Sequence, residues 1–155
     1  MVGPHGRSTW SLDVMRTVIA FALVVVLAAL ALVHVYWGLG GRTAAAAAVP
    51  EVAGRPAFKP SRAGTLLVAA ALLAAAVLIA TTGRLVPDLL APRIGRFLTF
   101  VLGSAFVARS IGDFRLVGFF KRASASRFAR LDTLVYAPLC LLLGLAVVFV
   151  AYVDV

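Results

Sequence analysis

Four long apolar stretches dominate this chain, and short polar connectors separate them. We expect helices at about residues 14–38, 64–82, 92–111 and 133–153. Spanning about 30 Å of hydrocarbon takes roughly 20 helical residues, and the third stretch reaches this length if it begins near Pro92. None of the stretches shows the alternation with a period of two that marks barrel strands. The pattern therefore predicts an all-α, polytopic membrane protein, a four-transmembrane-helix bundle that forms one domain over residues 1–155.

The composition agrees with a lipid environment. Of the 155 residues, 63% are hydrophobic, whereas a soluble domain is nearer to about 45–50%. The formal net charge is +9, and most of the 15 Lys and Arg residues cluster between the apolar stretches. Basic connectors suit contact with anionic lipid headgroups. The sequence contains no recognisable motif that binds the grooves of DNA or RNA, so we expect the partner to be a lipid bilayer and not nucleic acid.

The sequence offers little metal or redox chemistry. Cys140 is the single cysteine, which excludes an intramolecular disulfide and a cysteine-based metal cluster. The two histidines, His5 and His34, lie at opposite ends of the first apolar stretch. We therefore expect no metal and no cofactor. The sequence does not support a Ser-His-Asp catalytic triad, so we assign no catalytic residue.

The first apolar stretch has two interpretations. Arg7 and Arg16 could form the basic region of a signal peptide, with small residues at 44–48 for cleavage. The stretch is too long for a typical signal peptide, however, and Tyr36-Trp37 close it like an interfacial aromatic belt. We therefore expect a retained helix. The first and third connectors together carry nine Lys and Arg residues, whereas the N-terminal flank and the second connector together carry five. Because basic connectors favour the cytoplasmic side, we predict that the first and third connectors face the cytoplasm and that both termini lie outside.

Two of the connectors have features of their own. The first is expected to be irregular, with one helical turn at its alanines, residues 44–48. The third, about residues 112–131, mixes phenylalanines with arginines, and this mixture fits an amphipathic piece at the membrane interface. Asp132 follows this piece and could cap the first amides of the fourth helix, and Pro138 could kink that helix.

Arg109 and Asp113 are charged residues at the end of the third apolar stretch. They are four residues apart and would share one face of a helix. Ser104, Ala108 and Gly112 form a small-residue ridge with the same spacing, which could pack on another helix. One interpretation of the charged pair is a polar site inside the bundle. The other is an ion pair at a helix end, with Arg109 extending to the interface.

His34 lies near the end of the first apolar stretch. Its imidazole could relay protons, ligate a metal or bond a buried carboxylate, although a metal site would need further ligands. Tyr36 and Trp37 follow it and fit an aromatic belt.

Topology alone brings a set of polar residues to one rim of the bundle. If the helices alternate in direction, the ends of the first and third lie on the same side as the start of the fourth. We therefore predict a rim that binds a substrate or lipid, formed by His34, Tyr36, Trp37, Arg109, Asp113, Arg115, Asp132 and Tyr136.

Three sequence blocks carry a family resemblance: residues 34–41 (HVYWGLGG), 112–121 (GDFRLVGFFK) and 128–140 (FARLDTLVYAPLC). With these blocks the chain resembles a family of small bacterial four-helix membrane proteins classed as a domain of unknown function. The resemblance implies a multi-pass protein of the bacterial inner membrane. It implies no reaction, substrate or cofactor.

Two kinds of function fit this pattern. The first is a membrane protein, enzyme or carrier, that binds a lipid or small anionic molecule at the rim, with Arg109 and Arg115 on the anion and Asp113 or His34 moving protons. The alternative is a non-catalytic subunit or assembly factor of a membrane complex, because the alanine-rich second helix suits tight packing on a protein partner. An ion channel is a third option, and it would need several copies of the chain to form a pore.

Overall fold

The protein is a bundle of four long helices. A computed structural model describes residues 4–52, 55–122 and 126–153. The helices are α1 (Pro4–Gly38), α2 (Arg62–Thr82), α3 (Pro92–Ile111), α4 (Arg127–Leu131) and α5 (Ala137–Tyr152), and a π-helical turn (Asp132–Tyr136) joins the last two into one continuous helix. Four segments are long and apolar enough to cross a membrane, namely Trp10–Gly38, Arg62–Thr82, Pro92–Ile111 and Arg127–Tyr152. The predicted four-helix membrane fold is confirmed.

Local signals set the helix ends. Helix α3 begins at Pro92, since proline lacks an amide hydrogen and is tolerated in the first turn. Ser61 caps α2, and its Oγ accepts a hydrogen bond from the Gly64 amide at 3.0 Å. Ser126 caps α4 in the same way through the Ala129 amide, at 3.0 Å. The fourth membrane helix therefore begins at Arg127, not at residue 133 as the apolar pattern indicated.

The connectors agree with the expectations only in part. The alanines form a 3-10 turn, Ala45–Ala48, as predicted. Two strands of two residues each, β1 (Glu51–Val52) and β2 (Arg55–Pro56), pair antiparallel and were not predicted, because strands this short leave no periodic signal. The expected amphipathic piece at 112–131 is irregular over 112–121 and helical over Arg127–Leu131, and its location at the membrane interface stays a prediction.

The four membrane helices form two closely packed antiparallel pairs. Helix α1 packs along α2 and α3 packs along α5, and the pairs meet through α2 with α3 and α1 with α5. The core between them is apolar and includes Leu27, Ile79 and Val147, each fully buried. Large hydrophobic side chains also cover the outer surface, as a lipid solvent allows.

Helices α3 and α5 approach each other closely at Gly103 and Gly144. A Cβ atom on Gly144 would lie 2.8 Å from the Val107 amide nitrogen and 2.9 Å from the Gly103 carbonyl oxygen. The absence of side chains at these two positions lets the backbones come together, which is how helices in lipid gain van der Waals contact.

The predicted small-residue ridge on α3 was wrong, since Ser104 and Ala108 are exposed on the outer surface. The buried residues of α3 are Gly95, Thr99, Gly103 and Ser110. The first three repeat every fourth residue, as the predicted ridge does. A shift of one residue turns the helix by about 100°, so the sequence spacing could not select the buried strip.

Replacing Gly144 with valine should separate α3 from α5. We expect Gly144→Val to lower the stability of the bundle by about 1–3 kcal/mol, because the added side chain overpacks a close backbone contact. Thermal unfolding of the detergent-solubilised protein measures this loss. Ala108→Val is the matched control, as it adds volume at an exposed position. Equal melting temperatures for the two variants would contradict the close contact.

Candidate functional site

A buried carboxylate organises one end of the bundle, which we term the Asp132 end. Asp132 has 0% exposure. Its Oδ1 accepts a hydrogen bond from Arg109 Nη2 at 2.9 Å, and its Oδ2 accepts from the Gly118 amide at 2.6 Å and from Lys121 Nζ at 3.1 Å. Two cations and one backbone amide therefore compensate this carboxylate for the loss of water.

The expected role of Asp132 as a helix cap was wrong. Ser126 supplies the cap six residues earlier, and Asp132 lies inside the continuous helix at the start of the π-turn. In that turn the Ala137 amide bonds the Asp132 carbonyl, five residues back. The wider turn lies directly before Pro138, which has no amide hydrogen to donate and whose ring would crowd a regular helical turn.

Arg109 pairs with Asp132 and not with Asp113. Helix α3 ends at Ile111, so Asp113 lies beyond the helix and the expected spacing of one helical turn does not apply. The Arg109 side chain is 35% exposed. One terminal nitrogen, Nη2, donates to Asp132, and the other, Nη1, is buried and has no hydrogen-bond partner among the described residues.

Asp113 instead shapes the third connector. Its Oδ1 accepts hydrogen bonds from three successive amides, those of Arg115, Leu116 and Val117, at 2.9, 2.7 and 3.1 Å. These bonds, that of Leu116 first, then those of Arg115 and Val117, favour the ionised form and lower the pKa of Asp113 from its usual 3.8. The turn leaves the Arg115 side chain exposed.

Glycines close this connector. Gly112 and Gly118 both have positive φ, 94° and 87°, a region that glycine enters without steric cost. They also lie against each other, since a Cβ on either would overlap the backbone of the other. The Phe119 amide donates to the Ser110 carbonyl at 2.9 Å and fixes the closure. The chain thereby returns to α3 and brings Lys121 back to Asp132.

Lys121 is the site residue that sequence reasoning missed. Its side chain is 4% exposed, and Nζ donates to the Gly118 carbonyl at 3.0 Å and to Thr133 Oγ1 at 2.6 Å as well as to Asp132. Lys121 lies in an irregular segment, where sequence spacing does not predict which side chains are neighbours. Its contact with Asp132 could therefore not be predicted from a periodic pattern. The glycine spacing in GDFRLVGFFK was the available signal, because two glycines six residues apart can close a turn.

The aromatic residues of the predicted rim bond locally. His34 Nδ1 lies 2.7 Å from the Leu30 carbonyl, and its ring makes an edge contact with Trp37 at 5.2 Å between centroids. Trp37 Nε1 donates to the Thr43 carbonyl at 2.9 Å, and the Tyr36 hydroxyl lies 3.0 Å from Thr43 Oγ1. Tyr36 and Trp37 therefore hold the turn that follows α1.

Tyr136 joins the first connector to the fourth helix. Its hydroxyl donates to the Ala47 carbonyl at 3.3 Å, and its ring lies 6.0 Å from that of Phe128. Of the eight residues predicted for the rim, Arg109 and Asp132 contact each other directly. Asp113 contacts the backbone of Arg115. Within the described residues, no group of three His, Cys, Asp or Glu side chains is placed to hold a metal ion.

The fold defines a multi-pass membrane protein, and this polar cluster lies at one end of its helix bundle. The family DUF3995, described as proteins of unknown function, matches residues 27–147. The chain belongs to this family, which confirms the resemblance drawn from the sequence blocks. Comparison with curated proteins and with solved structures found no match.

Neutralising Asp132 should destabilise the protein strongly. In Asp132→Asn, Arg109 and Lys121 lose the charge that compensates them, and we expect a loss of about 3–5 kcal/mol. Asp113→Asn is the control, because an exposed amide oxygen can still accept the backbone bonds, and we expect a loss below about 1.5 kcal/mol. Thermal unfolding in detergent compares the two. Similar losses would show that the buried cluster does not hold the fold.

The lowered pKa of Asp113 predicts a stability that depends on pH. The folded carboxyl binds a proton less readily than the unfolded one, so its stabilisation is complete above the usual pKa of 3.8 and is lost as pH falls through the lower folded value. We expect the melting-temperature advantage of the parent over Asp113→Asn to shrink below about pH 4. An advantage unchanged down to pH 2 would contradict the three-amide arrangement.

Proposed function

We propose that this membrane protein binds an anionic group, the phosphate or carboxylate of a lipid headgroup or small molecule, at the Asp132 end. The single observation that carries the proposal is the incomplete hydrogen bonding of the Arg109 guanidinium group. Its Nη2 is paired with Asp132 while its Nη1 is buried and has no acceptor among the described residues. Buried donors in native proteins nearly always have a partner, and an unpaired one suggests a missing ion or ligand.

The charge count of the cluster supports an anion. Arg109 and Lys121 share one carboxylate, that of Asp132, which leaves one positive charge in excess. Lys121 is nearly fully buried, and its ammonium group also donates to Thr133 and to the Gly118 carbonyl. Its three hydrogen-bond donors are therefore all used within the protein. The Arg109 side chain is one-third exposed. A small rotation of its guanidinium group would present Nη1 to an acceptor from outside.

The surroundings of the cluster suit a lipid headgroup. Arg115 is exposed on the same connector. Phe114 and Phe120 are exposed beside it, and their rings contact each other at 6.3 Å. Exposed aromatic and basic side chains together are typical of surfaces that lie among headgroups.

In this proposal Arg109 is the primary contact and Arg115 the second cation, since guanidinium groups match phosphate and carboxylate oxygens. Asp132 and Lys121 are positioning residues that hold Arg109. Participation of His34, Tyr36, Trp37, Asp113 and Tyr136 in binding stays a prediction. The cytoplasmic orientation of the connectors also stays a prediction, and it would place the site at the cytoplasmic leaflet of a bacterial inner membrane.

The surface of α2 favours a second candidate function, a subunit of a membrane complex. Of the six alanines at positions 69–71 and 74–76 of this helix, three are buried within the bundle and three face outward. The outward residues are Ala70, Ala71 and Ala74, and small side chains at a lipid-facing surface permit close approach of another helix. A stoichiometric protein partner that co-purifies in mild detergent, and that is lost when Ala70 and Ala74 are replaced by leucine, would support this function.

Lipid retention tests the anion site. In nanodiscs that contain equal phosphatidylglycerol and phosphatidylcholine, native mass spectrometry should detect retained phosphatidylglycerol on the parent. Arg109→Lys keeps the charge opposite Asp132 but lacks the second terminal nitrogen, and we expect about tenfold weaker retention, as for the loss of one charged hydrogen bond. Arg115→Gln should weaken retention in the same direction.

Arg93→Gln is the control, because it removes an exposed charge at the other end of the bundle. It should retain phosphatidylglycerol like the parent. The proposal fails if the parent shows no preference for the anionic lipid, or if Arg109→Lys folds and retains it as well as the control does.

A further inference from the structure

The third connector folds back onto the end of α3. The Phe119 amide donates to the Ser110 carbonyl at 2.9 Å. The Phe120 amide donates to the Ile111 carbonyl at 3.4 Å. Ser110 and Ile111 are the last two residues of a helix that is long and apolar enough to cross a membrane. The backbone of Phe120 therefore lies at the depth where that helix ends, although it comes later in the chain.

The amides of this connector make their hydrogen bonds within the protein. Those of residues 115–117 donate to the Asp113 carboxylate. The Gly118 amide donates to the Asp132 carboxylate, and the next two amides donate to carbonyls of α3. Six consecutive amides, those of residues 115–120, thus have protein acceptors in a segment that is neither helix nor strand.

This pairing is informative about the solvent around the connector. In water a loop does not need it, because water accepts the amide hydrogens. Irregular backbone at membrane depth is tolerated only where its polar groups are satisfied by the protein or by a water-filled cavity. The complete pairing of residues 115–120 therefore favours an environment in which water is scarce.

Apolar side chains cover the outside of the same segment. Phe114 and Phe120 are 57% and 63% exposed, and their ring centroids lie 6.3 Å apart. Ile111 and Phe119 are exposed as well. Exposed rings beside a backbone whose amides are paired suit an apolar solvent and not water.

Phe114 also occupies a strained backbone position. Its φ is 60°, in the left-handed region where a bulky residue is an outlier and glycine or asparagine is usual. Backbone strain that persists in a fold commonly marks a functional position. Because the Phe114 ring is mostly exposed, it contributes little to the packing of the protein. The strained residue therefore indicates a contact outside the folded chain.

We propose that residues 111–120 lie in the lipid interface, that the Phe114 and Phe120 rings insert among the acyl chains next to the headgroups, and that the Asp113 turn keeps the connector there. The depth of Phe120, the paired amides and the exposed rings carry this inference together. The exposed Arg115 side chain is long enough to extend from this depth to the headgroups. The partner of the connector surface is the lipid layer itself, so the inference does not depend on anion binding at Arg109.

The location of the Phe120 ring can be measured directly. The full-length protein is placed in nanodiscs with para-trifluoromethylphenylalanine in place of Phe120. Fluorine relaxation is then measured with dissolved oxygen, which concentrates in lipid, and with a gadolinium chelate, which stays in water. We expect oxygen to be the stronger relaxing agent, as for the same label at Phe100, an exposed residue within the α3 span.

Two results would overturn the proposal. Stronger relaxation by the chelate, as for the free fluorinated amino acid in buffer, would place the ring in water. Protection from both agents would show that a protein partner, and not lipid, covers the connector.

The paired amides provide a second test. Asp113→Ala removes the acceptor of three amides, and their exposure in lipid is costly. We expect the connector to move toward water in this variant, so that the chelate relaxes the label at position 120 more strongly than in the parent. Asp113→Asn is the matched control, because its amide oxygen still accepts, and it should behave like the parent. Equal relaxation in the two variants would overturn the role of the Asp113 turn.

Phe114→Gly separates the role of the ring from folding. Glycine relieves the left-handed strain, so the variant should melt in detergent at the temperature of the parent or above it. In nanodiscs the label at position 120 should lie closer to water, since one of the two inserted rings is lost. A lower melting temperature with unchanged label depth would show that the ring packs within the protein and would overturn its insertion. Retention of anionic lipid is measured separately, and an inserted ring without lipid preference would refute the anion site alone.

Discussion

The burial of the Asp132 carboxylate is the constraint on which the Asp132 end of the bundle depends. A carboxylate removed from water at the edge of a membrane is costly unless cations and hydrogen-bond donors surround it. Arg109 comes from α3, while Lys121 and the Gly118 amide come from the connector. The connector must therefore turn back toward α3, and α3 must end where it does. The π-turn of the fourth helix begins at the same residue.

The lipid solvent explains the rest of the architecture. Apolar burial gives little advantage where the outside is equally apolar, so the helices associate through close backbone approach and van der Waals contact. The Gly103–Gly144 contact is the clearest case. Ionised groups are expensive at mid-membrane, and they lie toward the ends of the helices. The described part of the bundle thus has an apolar middle and two more polar ends.

The proposed anion site follows from this division. At each end an arginine is held in place by groups of the protein, Arg109 by Asp132 and Arg96 by the Ala151 carbonyl. Guanidinium groups at a membrane–water boundary meet phosphate more often than any other anion, because headgroups surround them. The Asp132 end is a buried ion cluster, and membership in a family of unknown function does not constrain what it binds.

The amino-acid sequence determined the number of membrane helices and their approximate ends, because hydrophobic length and capping residues are local properties. It also indicated that polar residues gather at one rim. The tertiary structure decided which partners meet. Arg109 lies four residues from Asp113 along the chain, yet it pairs with Asp132, since α3 ends before the nearer carboxylate and the glycine-closed connector brings the fourth helix alongside. A pairing between helices depends on rotation and on the path of irregular loops, and neither has a period that a sequence can display.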